Sequence, residues 1–112
     1  MDRKVNPLLT SCCFLLAALS PAAFAVDVKV QVCDLQSHTD KNAAFMRPCE
    51  WKSKNSCPSD HWVAWDMSQH QGEAMYSTAL TALIAEKEVT VRLDGSSCLA
   101  QYDEVSMIRV SR

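Results

Sequence analysis

The sequence predicts a mainly β fold with a single helix, in the order strand, strand, strand, helix, strand, strand. Three observations carry this. Valines alternate with polar residues from Val26 to Val32 and again from Val89 to Leu93, the period of two of a strand with one buried face. Between these stretches the apolar period lengthens to that of a helix. Four cysteines, Cys33, Cys49, Cys57 and Cys98, lie downstream of an export-type N-terminus and suit a small domain stapled by two disulfides.

The chain has 112 residues, 48% hydrophobic and 7% aromatic, with six Cys, two Gly and a formal charge of -2. This length and composition give one compact domain and exclude a disordered chain. Arg3-Lys4 is the longest basic stretch, so a nucleic-acid binder held by phosphate contacts is excluded as well. Asp2-Arg3-Lys4, the apolar run from Pro7 to Leu19, and Ala23-Phe24-Ala25 read as a signal peptide, residues 1–25, cleaved after Ala25. The run is shorter than the roughly 20 residues of a spanning helix. The expected protein is therefore residues 26–112, a single domain in the periplasm or secreted, with no membrane span. Cys12 and Cys13 leave with the peptide.

The first strand is expected over residues 26–34, where Val26, Val28, Val30 and Val32 share a face. Residues 34–42 are polar and read as a loop. A second strand is placed at 45–52, weakened by Pro48 to an edge or a bulge. Residues 52–60, with Asn55, Ser56, Pro58 and Ser59, form a turn. The aromatic and β-branched run His61 to Met67 supplies a third strand. Residues 72–87 are helical: Met75, Ala79, Ala82 and Leu83, joined by Tyr76, Leu80 and Ile84, recur at helical spacings, with Glu73 near the start and Lys87 near the end. Val89, Val91 and Leu93 mark a fourth strand, Asp94-Gly95 a turn, and residues 105–110 a fifth strand. A helix between the third and fourth of five strands points to an OB-fold-like Greek-key barrel.

Little in the chain suggests catalysis. His38, His61 and His70 show no close ligand spacing and read as ordinary surface or strand-end histidines, so no metal or other cofactor is expected. Asp103-Glu104 are adjacent, so in a strand they face opposite sides and form no catalytic dyad; a solvated turn is the expected reading. Ser77 has no nucleophile-elbow context. The four downstream cysteines contain no C-x-x-C, which leaves neither a zinc ribbon nor a thioredoxin-like site, and allow three pairings. No enzyme is expected and no catalytic residue is assigned.

The tryptophans are the candidate binding residues. Trp62 and Trp65 differ by three, so in a strand they face opposite sides and at most one fills the interior. The other, together with Trp51, could present an aromatic platform that stacks on sugar rings, unless it packs beneath the helix or a subunit interface. OB-folds bind on the face of strands two and three, which would place that platform suitably by analogy.

From Trp62 to Val110 the chain carries a further pattern. It runs W-V-A-W-D, then G-E-A-M-Y-S-T-A-L-T-A-L from Gly72 to Leu83, then K-E-V-T-V-R-L, Gly95 and Cys98, and D-E-V-S-M-I-R-V from Asp103. In this half the sequence resembles small exported bacterial proteins similar to the B subunit of subtilase cytotoxin. The resemblance implies export and an OB-fold; the toxin members are pentamers that bind cell-surface glycans. It carries no binding residue onto this chain, and a toxin role would need a catalytic partner encoded elsewhere. It also implies that Cys57 pairs with Cys98, leaving Cys33 with Cys49, a pair that would join the first two strands. Two functions follow as expectations: a non-catalytic binding module, as a homo-oligomer, for a glycan or envelope component; or a periplasmic structural or accessory protein with a protein partner.

Overall fold

The structure, a computed structural model, describes residues 25–112; the expected signal peptide lies outside the described residues but for Ala25. Five strands and one helix follow in the order β1 (Ala25–His38), β2 (Ala43–Pro48), β3 (Val63–Asp66), α1 (His70–Ala85), β4 (Glu88–Leu99) and β5 (Tyr102–Val110). The strands close into a ring, β1-β2-β3-β5-β4, antiparallel throughout except for the short parallel contact of β3 with β5. The mainly β architecture with one helix and five strands is therefore the one the sequence predicts.

The strand bounds differ from expectation in ways that matter. β1 runs four residues further, to His38, because it serves two neighbours: Ala25 to Gln31 pair with β4, and Val32 to His38 pair with β2. Between Val32 and Asp34 the register slips by one, leaving Cys33 as a bulge. An extra residue in a strand exchanges its two faces from that point on. Before the bulge the even positions Val28, Val30 and Val32 face the core. After it the odd position Leu35 does, while Gln36 and His38 lie opposite Phe45 and Ala43, residues outside the main core. The Cys33–Cys49 disulfide sits at this bulge, with Cα atoms 4.9 Å apart.

β2 starts two residues earlier than expected and ends at Pro48, where a missing N–H costs no further pairing. β3 is only four residues long; His61, at φ 76°, lies outside it. The expected turn at Asp94-Gly95 is replaced by continued strand. Gly95 takes φ 53° within an irregular stretch of β4, and the chain reverses instead at Ala100-Gln101. Here Leu99 pairs with Tyr102 across two residues that both have positive φ, 50° and 74°.

The core joins Val30, Val32, Met46, Val63, Trp65, Val89, Val91, Leu93, Val105 and Ile108 inside the ring, and α1 closes it with Ala79 and Ala82. Gly72, in the first turn of α1, passes so close to β3 that a Cβ there would overlap the Asp66 carbonyl oxygen. Its own carbonyl accepts the Trp65 Nε1–H at 2.9 Å. The helix stops at Ala85, two residues short of expectation. Glu86 takes the left-handed conformation, φ 56°, and Lys87 N–H returns to the Ala82 carbonyl, a Schellman-type ending without the usual glycine.

The 49–62 connection has little secondary structure and is held by buried chemistry. The Cys57–Cys98 disulfide ties it to β4, so both expected bridges are present. Asp103, fully buried, accepts four hydrogen bonds from it: Trp51 Nε1–H at 3.3 Å, Ser53 Oγ–H at 2.6 Å, and the backbone N–H groups of Lys54 at 2.6 Å and Asn55 at 3.3 Å. The expected solvated turn at Asp103-Glu104 is thus corrected. The parity of β5 turns the first carboxylate into the end of the ring, where the loop donors satisfy it.

Candidate ligand-binding groove

The bulge at Cys33 and the tight turn after Leu99 together build a groove of about 500 Å³ on the outside of the ring. Its lining is Gln36 and His38 from the end of β1, Lys41 from the β1–β2 turn, Phe45 from β2, Trp62 ahead of β3, and Ala100, Gln101 and Tyr102 from the β4–β5 turn. Phe45 lies opposite Ala64 of β3, and the two join Ala43 in a small second apolar cluster against which Trp62, Leu99 and Tyr102 pack. Edge-to-face contacts fix the rings: Phe45 to Tyr102 with centroids 5.7 Å apart and Phe45 to His38 at 5.1 Å, both at 76°. The His38 Nε2 lies 3.0 Å from the Gln36 Oε1, which orients the imidazole along the rim.

The rim is polar: two carboxamides, the Lys41 ammonium and an imidazole with the Asp40 carboxylate 4.0 Å from its Nδ1 surround aromatic faces. Such a lining stacks on a flat or ring-shaped apolar surface and exchanges hydrogen bonds at its edges. Each chain segment bordering it also contains a non-glycine residue in the left-handed region, Asn42, His61, Ala100 or Gln101. Backbone held this way stores of the order of 1–3 kcal/mol per residue and persists where surrounding structure enforces it.

Of the three candidate tryptophans, only Trp62 lies here. Trp65 faces the core beneath the start of α1, on the side opposite Trp62, as their spacing requires. Trp51 is also buried, hydrogen-bonded to Asp103 and covered by the Lys54 ammonium 5.1 Å from its ring centroid. The expected platform of Trp51 with an outward tryptophan is therefore replaced by Trp62 with Phe45 and Tyr102. The sequence does not announce Phe45, Tyr102 and His38 as a cluster because their juxtaposition rests on the closed ring, which brings Tyr102 edge-to-face onto Phe45, 57 positions away. Among the described residues no three His, Cys, Asp or Glu side chains gather as a metal site.

Compared with protein families, curated proteins and solved structures, the chain finds no match.

Proposed function

We propose that this chain is an exported, non-catalytic binding module of the OB type that recognises a glycan or another envelope component through the Phe45–Trp62–Tyr102 groove. The observation that carries this reading is the groove's position. Phe45 of β2 and Trp62, just ahead of β3, floor it between the β1–β2 and β4–β5 turns, close to where OB-folds take oligosaccharides and other extended ligands. Aromatic faces with an amide-bearing rim suit a pyranose, whose C–H face stacks while its hydroxyls meet Gln36 and Gln101. Two disulfides support an oxidising compartment, and no helix among the described residues is long and apolar enough to cross a membrane.

A glycan array followed by calorimetric titration of the hits tests the reading. A sugar ligand is expected, and Trp62→Ala should weaken it about tenfold or more, as loss of one stacking partner does. Trp62 is half-buried and outside the main core, so the variant should keep its fold. An array without a hit would refute the glycan as ligand, and a hit bound equally by wild type and Trp62→Ala would refute the groove as its site.

A further inference from the structure

β1 reaches the groove only past its bulge, and its first half presents a separate face. There β1 lies on β4, and β4 on β5. Val89, Val91 and Leu93 of β4 point into the core, so Glu88, Thr90 and Arg92 point out of the ring. The register sets Thr90 between Lys29 of β1 and Arg109 of β5, a long cation on either side of a short hydroxyl. Thr90 is only 8% exposed although it faces outward, and with Lys29 and Arg109 it lines a cleft of about 300 Å³. Among the described residues no protein group hydrogen-bonds its hydroxyl, and no fully enclosed side-chain oxygen or nitrogen goes unpaired. The hydroxyl is therefore open to the cleft.

The two cations are uncommitted as well. Asp27, on the same face of β1, is taken by Arg92: its two carboxylate oxygens accept from Nε at 2.8 Å and Nη2 at 3.1 Å. Among the described residues neither Lys29 nor Arg109 lies within 4.0 Å of a carboxylate. Beyond this row the charges around the cleft balance, Lys87 and Arg112 against Glu86 and Glu88. Glu50 borders the neighbouring depression on the far side of Lys29, not this one. The row Lys29, Thr90, Arg109 thus leaves the cleft positive, in a chain whose described residues carry nine Lys and Arg against twelve Asp and Glu.

We propose that this cleft binds a phosphate group, with Lys29, Thr90 and Arg109 as its donors. Residues directly across a ladder have Cβ atoms about 5 Å apart, so an oxyanion resting on the Thr90 hydroxyl is within reach of both cations. The guanidinium is a planar fork that engages two oxygens, and the ammonium is a point charge with rotatable donors. The cations approach from opposite sides and the hydroxyl from below. A tetrahedral oxyanion has oxygens in all three directions, whereas a carboxylate offers two in one plane and leaves a donor idle. Phosphate, free or as a monoester, is the ligand class that uses the whole row. Glu88, the next outward residue on β4, opposes the anion and gives the proposal a test of sign.

Titration of the oxidised, isotope-labelled protein with inorganic phosphate, slightly above neutral pH and at constant ionic strength in chloride, reads binding from the Lys29, Thr90 and Arg109 amides. Saturation on the order of 1 mM is expected. Thr90→Val keeps the shape of the buried side chain and should weaken binding about three- to tenfold; Lys29→Gln and Arg109→Gln should each weaken it about tenfold. Glu88→Gln should tighten it about two- to threefold. Acetate should bind about tenfold more weakly than phosphate. No saturation by about 20 mM phosphate, Thr90→Val equal to wild type, or acetate as tight as phosphate would overturn the proposal. Phosphatidylcholine vesicles with and without phosphatidic acid then separate the sources. Retention by phosphatidic acid that is lost in Arg109→Gln assigns the phosphate to a lipid headgroup, and no retention assigns it to a soluble ligand. Lys41→Gln and Trp62→Ala, both at the groove, should bind phosphate like wild type, so failure of the groove reading and failure of this one are separable.

Discussion

The groove side and the helix side of this ring are built by opposite means. On the helix side the backbone is regular: sixteen helical residues, a hydrogen-bonded ending, and valine strands in simple alternation beneath. On the groove side almost every feature is an irregularity. A bulge at Cys33 turns Gln36 and His38 outward, a two-residue turn with both φ values positive presents Gln101, and the 49–62 connection is shaped by a buried carboxylate and a disulfide. The regular side places its side chains by period alone. The irregular side depends on single residues held by distant partners, and single substitutions should expose the difference.

The largest effect is expected at Asp103. Asp103→Ala leaves four donors of the 49–62 connection unpaired, two of them on buried residues, and should cost about 3–5 kcal/mol in denaturant unfolding. A cost below about 1 kcal/mol would show that water replaces the carboxylate and that the clamp does not shape the loop. On the helix side, Gly72→Ala forces α1 away from the Asp66 carbonyl and strains the Trp65–Gly72 hydrogen bond. About 2–3 kcal/mol is expected, because a backbone neighbour cannot move aside as a side chain would.

A smaller, opposite effect should come from the groove's turn. Asn-Gly is the pair that adopts two positive φ values with least cost, so Ala100→Asn with Gln101→Gly should stabilise the protein by about 1 kcal/mol, read as a higher thermal midpoint. The same variant removes the Gln101 side chain and should weaken any groove ligand. Stability and binding would then move in opposite directions, the signature of strain retained at a site.

The smallest effect is expected at Glu104. Burial first, then the nearby Asp94 and Asp66 carboxylates, raise its carboxyl above the ordinary value. The folded protein therefore holds this proton more tightly than the unfolded chain does. Below the unfolded pKa both states are protonated and nothing is lost; as pH rises through the higher folded value, the folded state is penalised. Glu104→Gln should accordingly raise the denaturation midpoint at pH 7 and leave it unchanged near pH 3. An equal gain at both pH values would assign the effect to packing instead of charge.

Much of the helix side was legible in the residues themselves. Val26 to Val32, Val89 to Leu93 and the Met75 to Ile84 pattern located two strands and the helix, since each buries one face and its period declares which. The groove was not legible. One unpaired residue, Cys33, reverses the parity of everything after it in β1, and nothing in the alternation up to that point announces it. Trp51 and Trp62 are the same residue type in the same connection, yet one is drawn inside by the Asp103 carboxylate from β5 and the other is left at the surface beside Tyr102. Local periodicity therefore determined which segments became strands and helix, and four downstream cysteines determined that two bridges could form. Only the closed ring decided which side of each strand faces out, because that choice rests on bulges, positive-φ turns and a buried carboxylate whose partners lie some fifty residues away.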